Sequence, residues 1–201
     1  LYIRSSYQKW GNTPNSRGMS GPEVAEAIKR SGDLQDVRLE RVGGQLSDHY
    51  DPRDNTVRMS EGVADTSSVA SMAITAHELG HAEQYRDGSF LIQMRSFLLP
   101  AVRFSPSLSY FLIFIGLFFN VTGMMWLGII FFGISVLFMI LTLPVEFDAS
   151  RRGLRLLEES GVMVSDQDKQ GSRQLLTAAA MTYVAAAVTS ILTLLYYISL
   201  A

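Results

Sequence analysis

Polar and apolar positions divide the chain into stretches of different texture. Up to about residue 104 they are intermixed, as in a domain whose surface meets water. From Leu108 to Val145 there is no Asp, Glu, Lys or Arg, and from Gln174 to Ala201 charge is absent again. The first run is too long for one bilayer crossing of roughly 20 residues and suits two short ones. Its break falls at Asn120-Val121-Thr122-Gly123, the turn-like cluster within it. The second run makes one more crossing. Within the mixed region, Ser20-Gly21-Pro22-Glu23 is a capping box with proline in the first turn, which predicts a helix to Arg30 stopped by Gly32. Residues 36–42, 45–50 and 55–60 alternate or are rich in β-formers, with Gly43-Gly44 and Asp51-Pro52-Arg53-Asp54 as turns. They predict a small, mainly antiparallel sheet. A helix follows from about Thr66 to Arg86, burying Val69, Met72, Ala73, Ala76 and Gly80 on one side.

Residues 90–104 are mostly apolar, carry Arg95 and Arg103, and end in prolines. They either lie in the membrane interface or cover the core. The second helix of the hairpin is expected to leave the lipid through Glu146 and run to Glu159, with Gly161 as its stop. Both charged regions then share one side of the membrane, and the Lys/Arg imbalance predicts that side to be the cytoplasm. The expected organisation is a metallopeptidase part over 1–104, a transmembrane hairpin over 105–145, a helix and connecting loop over 146–173, and a C-terminal transmembrane helix over 174–201. Because the chain opens on Leu1 rather than Met, an upstream piece is expected.

Composition narrows the chemistry. A net charge of -2 over 201 residues gives no reason to expect a nucleic-acid partner. Cysteine is absent, so a metal would be held by His and carboxylate alone.

The most specific signal is His77-Glu78-Leu79-Gly80-His81. Two histidines four apart project from one face of a helix, one turn apart, where both imidazoles can bind one Zn²⁺. Glu78 stands beside them as the base for a water. A catalytic zinc site takes a third protein ligand. Glu146 is the best placed, since a carboxylate at the lip of a transmembrane helix is costly unless paired. Its other reading is an interfacial carboxylate paired with Arg151. His49, the one histidine outside the motif, is the alternative ligand. His49 and Tyr183 are also the candidates for a second electrophile to stabilise an oxyanion. The strand leading to Tyr50 precedes the motif helix and is suited to pairing with an extended substrate.

Here the chain resembles a family. The motif followed on a later helix by Glu146-Phe147-Asp148-Ala149-Ser150 is similar to the gluzincin layout of membrane metallopeptidases such as the heat-shock protease HtpX and the CAAX prenyl protease. A closer likeness is to the YugP-like family of membrane zinc metallopeptidases. It is carried by Leu46-Ser-Asp-His-Tyr-Asp-Pro52, Arg58-Met-Ser-Glu61, Ala76-His-Glu-Leu-Gly-His-Ala82, Leu143-Pro-Val-Glu-Phe-Asp-Ala-Ser-Arg151 and Ala180-Met-Thr-Tyr-Val-Ala-Ala186. Members usually begin with another transmembrane helix, which would lie upstream of Leu1. The resemblance implies Zn²⁺ on His77, His81 and Glu146, with Glu78 as base. One departure stands out. The HtpX-type enzymes typically carry Asp four residues after the ligand Glu, where it orients a zinc-bound histidine; here that position is Ser150, and the acid is at Asp148. Either the hydroxyl takes that role or another acid does.

The expectation is an α+β integral membrane protein: a gluzincin-like core of small antiparallel sheet and motif helix, with about three transmembrane helices. It would be a multi-pass zinc endopeptidase of the inner (plasma) membrane, its site facing the cytoplasm, acting on peptides, membrane proteins or misfolded segments near the bilayer. The alternative is a catalytically silent scaffold that keeps the zinc fold within a larger membrane assembly. A soluble secreted metalloprotease is disfavoured by the uncharged segments.

Overall fold

A computed structural model describes residues 2–201. Its elements run α1 (Tyr2–Gly11), α2 (Gly21–Ser31), β1 (Arg38–Val42), β2 (His49–Asp51), β3 (Thr56–Ser60), α3 (Glu61–Ala64), α4 (Val69–Arg86), α5 (Phe90–Phe118), α6 (Thr122–Glu159) and α7 (Asp166–Leu200). The chain divides into two compact units. One holds the residues up to Ser89 together with Glu146–Ala180, and the other holds Phe90–Val145 and Met181–Ala201. Both α6 and α7 therefore contribute to each.

In the first unit the expected α2 forms from the foreseen start signal, with the Glu23 carboxylate accepting hydrogen bonds from the Ser20 N–H and hydroxyl at 2.8 and 2.7 Å. The sheet departs from expectation. Its order is β1-β3-β2, with β1 parallel to β3 and β2 antiparallel to it, so it is mixed rather than antiparallel. Residues 45–48, expected as strand, form a loop. Gly44 and Leu46 take left-handed φ values of 101° and 54°, which interrupt an extended run before β2 begins. Asp48 then ties this loop to the end of β3, accepting from the Ser60 N–H and hydroxyl at 2.7 and 2.9 Å. That detour lets β3 enter between β1 and β2, and leaves β2 as an edge strand.

Helix α4 starts three residues later than its pattern suggests, because Ser68 caps it by accepting from the Ser71 N–H at 3.0 Å. It is the central element, packed against α1, α2, α3, β2 and β3. Val69, Met72, Ala73, Ala76 and Leu79 are fully or almost fully buried in a core with Val24 and Ile28 of α2, Val57 and Met59 of β3, and Leu157 of α6. Helix α1 had no clear sequence signal; it is anchored by the buried Trp10, against which Gly171 of α7 leaves no room for a Cβ.

The second unit holds the apolar helices. Helices α6 and α7 are long and apolar enough to cross a membrane. Helix α5 supplies a third span if its two parts, Phe90–Pro100 and Phe104–Phe118, bent by 50°, are taken together. Pro100 and Pro106 lie inside the helix, and Pro106 offers no N–H to the carbonyl four residues back, inside the break, which accounts for the bend. Phe90, Phe97 and Phe104 are exposed and Ile92 is buried; the side chain of Arg103 lies outside the described residues. The hairpin turns at Asn120, with φ of 56°. Gly116 and Gly128 allow α5 and α6 to touch, since a Cβ on either would strike the Met125 or Ile113 backbone within 3 Å.

Candidate metal centre

Two glycines bring the candidate ligands together. A Cβ on Gly80 of α4 would lie 2.4 Å from the Ala149 carbonyl oxygen of α6. A Cβ on Gly153 of α6 would lie 2.7 Å from the Ala76 carbonyl oxygen of α4. The two backbones are therefore in direct contact, on the face of α4 that carries the histidines. This contact places Glu146, one turn before Ala149, over both imidazoles.

The His77 Nε2 lies 3.4 Å from Glu146 Oε2, and the His81 Nε2 lies 3.6 Å from the same oxygen. One ligand atom from each of the three residues falls within 4.8 Å of the others. Ligands about 2.0–2.1 Å from one tetrahedral ion stand about 3.3 Å apart, so the spacing fits a shared Zn²⁺. The donor chemistry fits as well, with two imidazoles and one carboxylate in a chain without thiolates. The imidazoles meet edge to face, with centroids 4.7 Å apart and planes at 80°. Glu146 and His81 are buried and His77 is half-buried, so the cluster opens on the His77 side.

Glu78 is buried on the same helix, and its Oε2 accepts the Tyr50 N–H at 2.9 Å. Burial pushes its carboxyl up from the ordinary value; the charges of Glu146 and Asp48 add to this, and His77 and the Tyr50 N–H oppose it. The outer edge of β2 is thus turned toward Glu78. Tyr50 itself donates its hydroxyl to Asn55 Oδ1 at 2.9 Å, and burial with nearby carboxylates pushes its phenol up to about 12. An open hollow of about 290 Å³ adjoins β2, with Leu34, Val37, Tyr50, Ala82 and Tyr85 among its lining.

Both histidines have partners on their far nitrogens. His77 Nδ1 lies 3.2 Å from the Ser150 hydroxyl. His81 Nδ1 lies 3.0 Å from Gln84 Oε1, and Gln84 Nε2 donates to Asp148 Oδ2 at 2.8 Å. Asp148 is gripped in turn by Arg152 at 2.7 Å and by Arg151. Arg152 continues to Glu83 at 3.0 Å and Asp87 at 2.6 Å, pinning α4 to α6 by charge as well as by contact. Ser150 thus lies beside one histidine, and Asp148 reaches the other only through Gln84.

The alternative ligand, His49, is not grouped with these three residues. His49 is exposed, its Nδ1 2.8 Å from the Ser47 carbonyl, and it is not among the grouped ligands. Tyr183 is half-buried on the part of α7 that belongs to the second unit. Gln84 escaped notice in the sequence, although it sits three residues after His81, a spacing that puts it beside that ring on a helix.

Comparison with known proteins agrees with this geometry. The family described as "Putative neutral zinc metallopeptidase" matches residues 1–201. The protein called "Putative membrane protease YugP" from Bacillus subtilis (strain 168) is 35% identical over 196 residues, covering 98% of this chain and 87% of the relative. No solved structure gives a significant match. With the whole length matched, the chain belongs to that family of neutral zinc metallopeptidases.

Proposed function

We propose that the chain is a membrane-embedded zinc endopeptidase with a gluzincin-type site, in which His77, His81 and Glu146 hold Zn²⁺ and Glu78 is the general base. The observation that carries the reading is the convergence of two imidazole nitrogens on one buried carboxylate oxygen, at 3.4 and 3.6 Å. Zinc, when bound, supplies Lewis acidity, lowering the pKa of water to about 7 and polarising a carbonyl. Glu78 takes the proton of the attacking water on its carboxylate and passes it to the leaving amide nitrogen. Its raised pKa suits the first half of that transfer, because a more basic carboxylate accepts a proton more readily. The Tyr50 N–H holds the carboxylate in place between turnovers.

Substrate is expected to lie extended along the outer edge of β2, where backbone pairing gives affinity without strict sequence preference. The hollow beside Tyr50 and Tyr85 is available for a side chain. Glu146 directly follows the uncharged run that ends at Val145, which supports a site at the bilayer surface. The charged regions on one side support an active site facing the cytoplasm. Membrane proteins and segments unfolded near the bilayer are the proposed substrates.

The test is made on detergent-purified full chain, measuring zinc per chain and cleavage of casein and of an unfolded membrane protein. One zinc per chain is expected, with cleavage lost in Glu78→Gln while zinc is kept. Metal without cleavage by either form would refute the enzyme and leave the silent scaffold.

A further inference from the structure

Around the ligand cluster, one chain of side chains has its hydrogen-bond polarity fixed from end to end. Asp148 is held by Arg151 and Arg152, so its carboxylate is ionised and can only accept. The group facing it at 2.8 Å must then be the NH₂ of Gln84, which can only donate. This leaves Gln84 Oε1, an acceptor, opposite His81 Nδ1 at 3.0 Å. Nδ1 must therefore carry the proton, and in the neutral ring Nε2 presents its lone pair toward Glu146. The second histidine has no such constraint. The Ser150 hydroxyl beside His77 Nδ1 can donate or accept, so it does not choose a tautomer.

We propose that Asp148, acting through the side-chain amide of Gln84, fixes the tautomer and ring orientation of His81, making Gln84 and Asp148 positioning residues for the metal site. The inference rests on the zinc site proposed above. It departs from the expectation that a carboxylate or hydroxyl touches the ligand histidine directly. Here an amide is interposed, and α4 supplies both the ligand and its support, while α6 supplies the charge. Arg152 joins the same carboxylate to Glu83 and Asp87, so the relay is anchored in the ion pairs that hold the two helices together. Partners of this kind on ligating histidines typically alter metal affinity about 10–100-fold when removed.

The experiment uses the full chain in detergent, with Zn²⁺ affinity read by chelator competition and ligand geometry read from the absorption bands of the Co²⁺-substituted protein. Gln84→Met keeps the length of the side chain and removes both links of the relay. It is expected to weaken Zn²⁺ binding about 10–100-fold and to shift the Co²⁺ bands, with Ser150→Ala weakening it less. Glu26→Gln removes an exposed ion pair with Lys29 on α2, away from the relay, and should change neither. If Gln84→Met does not fold, Asp148→Asn alone frees the amide to turn and carries the same expectation. The relay is overturned if Gln84→Met matches wild type in both readouts, or if Glu26→Gln loses as much affinity. A wild-type chain that binds no zinc, or Glu146→Ala that binds it normally, would instead refute the underlying site.

Discussion

Replacing Gly80 by alanine adds one methyl group where α4 meets α6, and its effect can be followed to the metal. The new Cβ would lie 2.4 Å from the Ala149 carbonyl oxygen and 3.2 Å from the Gly153 nitrogen, whereas ordinary contact begins near 3.4 Å. Both neighbours are backbone, so neither can rotate away, and the helices must part by about 1 Å. Separation in that direction takes the Glu146 carboxylate from 3.4 and 3.6 Å to about 4.4–4.6 Å from the imidazole nitrogens, well past the roughly 3.3 Å edge that one tetrahedral ion allows. Zinc affinity should fall by more than the about 10–100-fold typical of outer-shell changes, because a ligand itself is withdrawn. Overpacking should also cost about 1–3 kcal/mol, or about 2–4 °C of melting temperature for each kcal/mol in a chain of this size. Chelator competition reads the first effect and a melt of the zinc-free protein in detergent reads the second. Gly133→Ala, on α6 with nothing within 4 Å of the added Cβ, is the control and should change neither. Wild-type zinc affinity in Gly80→Ala would refute the claim that backbone contact sets the ligand distance.

Two further expectations concern the ligands and the acid limit. Glu146→Ala should abolish stoichiometric zinc while His49→Ala keeps it, and the reverse result by metal analysis would exchange their roles. On acidification, the hydrogen bonds of Arg53 to Asp51, and those of Arg152 and then Arg86 to Asp87, hold these carboxylates below the ordinary range, although burial opposes them. Their folded pKa values are depressed, so their stabilisation is complete above the unfolded value of about 3.9 and is lost as pH falls through the folded values. Melting temperature in detergent should therefore decline below about pH 4, and Asp51→Asn with Asp87→Asn should flatten that decline.

The parts legible in sequence were those with a local cause. The capping box at Ser20, the two imidazoles one turn apart and the charge-free runs each need only neighbouring residues to be read. The pairing of β1 with β3 was not legible, because it depends on left-handed backbone at Gly44 and Leu46 and on Asp48 reaching Ser60. Periodicity reports which face a strand buries, not which strand it meets. Gly80 and Gly153 read as ordinary small residues until their opposing carbonyls are seen. The support of His81 was hidden for another reason. Its charge lies at Asp148, two residues beyond Glu146 on another helix, and reaches the ring only through Gln84.

Glu78 distinguishes an enzyme from a scaffold on physical grounds. Burial and the charges of Glu146 and Asp48 raise its folded pKa, so its ionised form weakens the zinc-free fold. A group raised in this way contributes fully below its unfolded value of about 4.3, and the contribution is lost as pH rises through the folded value. Glutamine at that position cannot ionise and still accepts the Tyr50 N–H. Zinc-free Glu78→Gln should therefore melt higher than zinc-free wild type at neutral pH, by about 2–4 °C for each kcal/mol relieved. The gap should close as pH falls toward 4, opposite in sign to the trend from Asp51 and Asp87. A side chain that weakens the empty fold yet stands beside the metal ligands has a use in proton transfer and none in scaffolding. Equal or lower melting of the variant would remove that argument, because Glu78 would then be a structural residue that happens to adjoin two histidines.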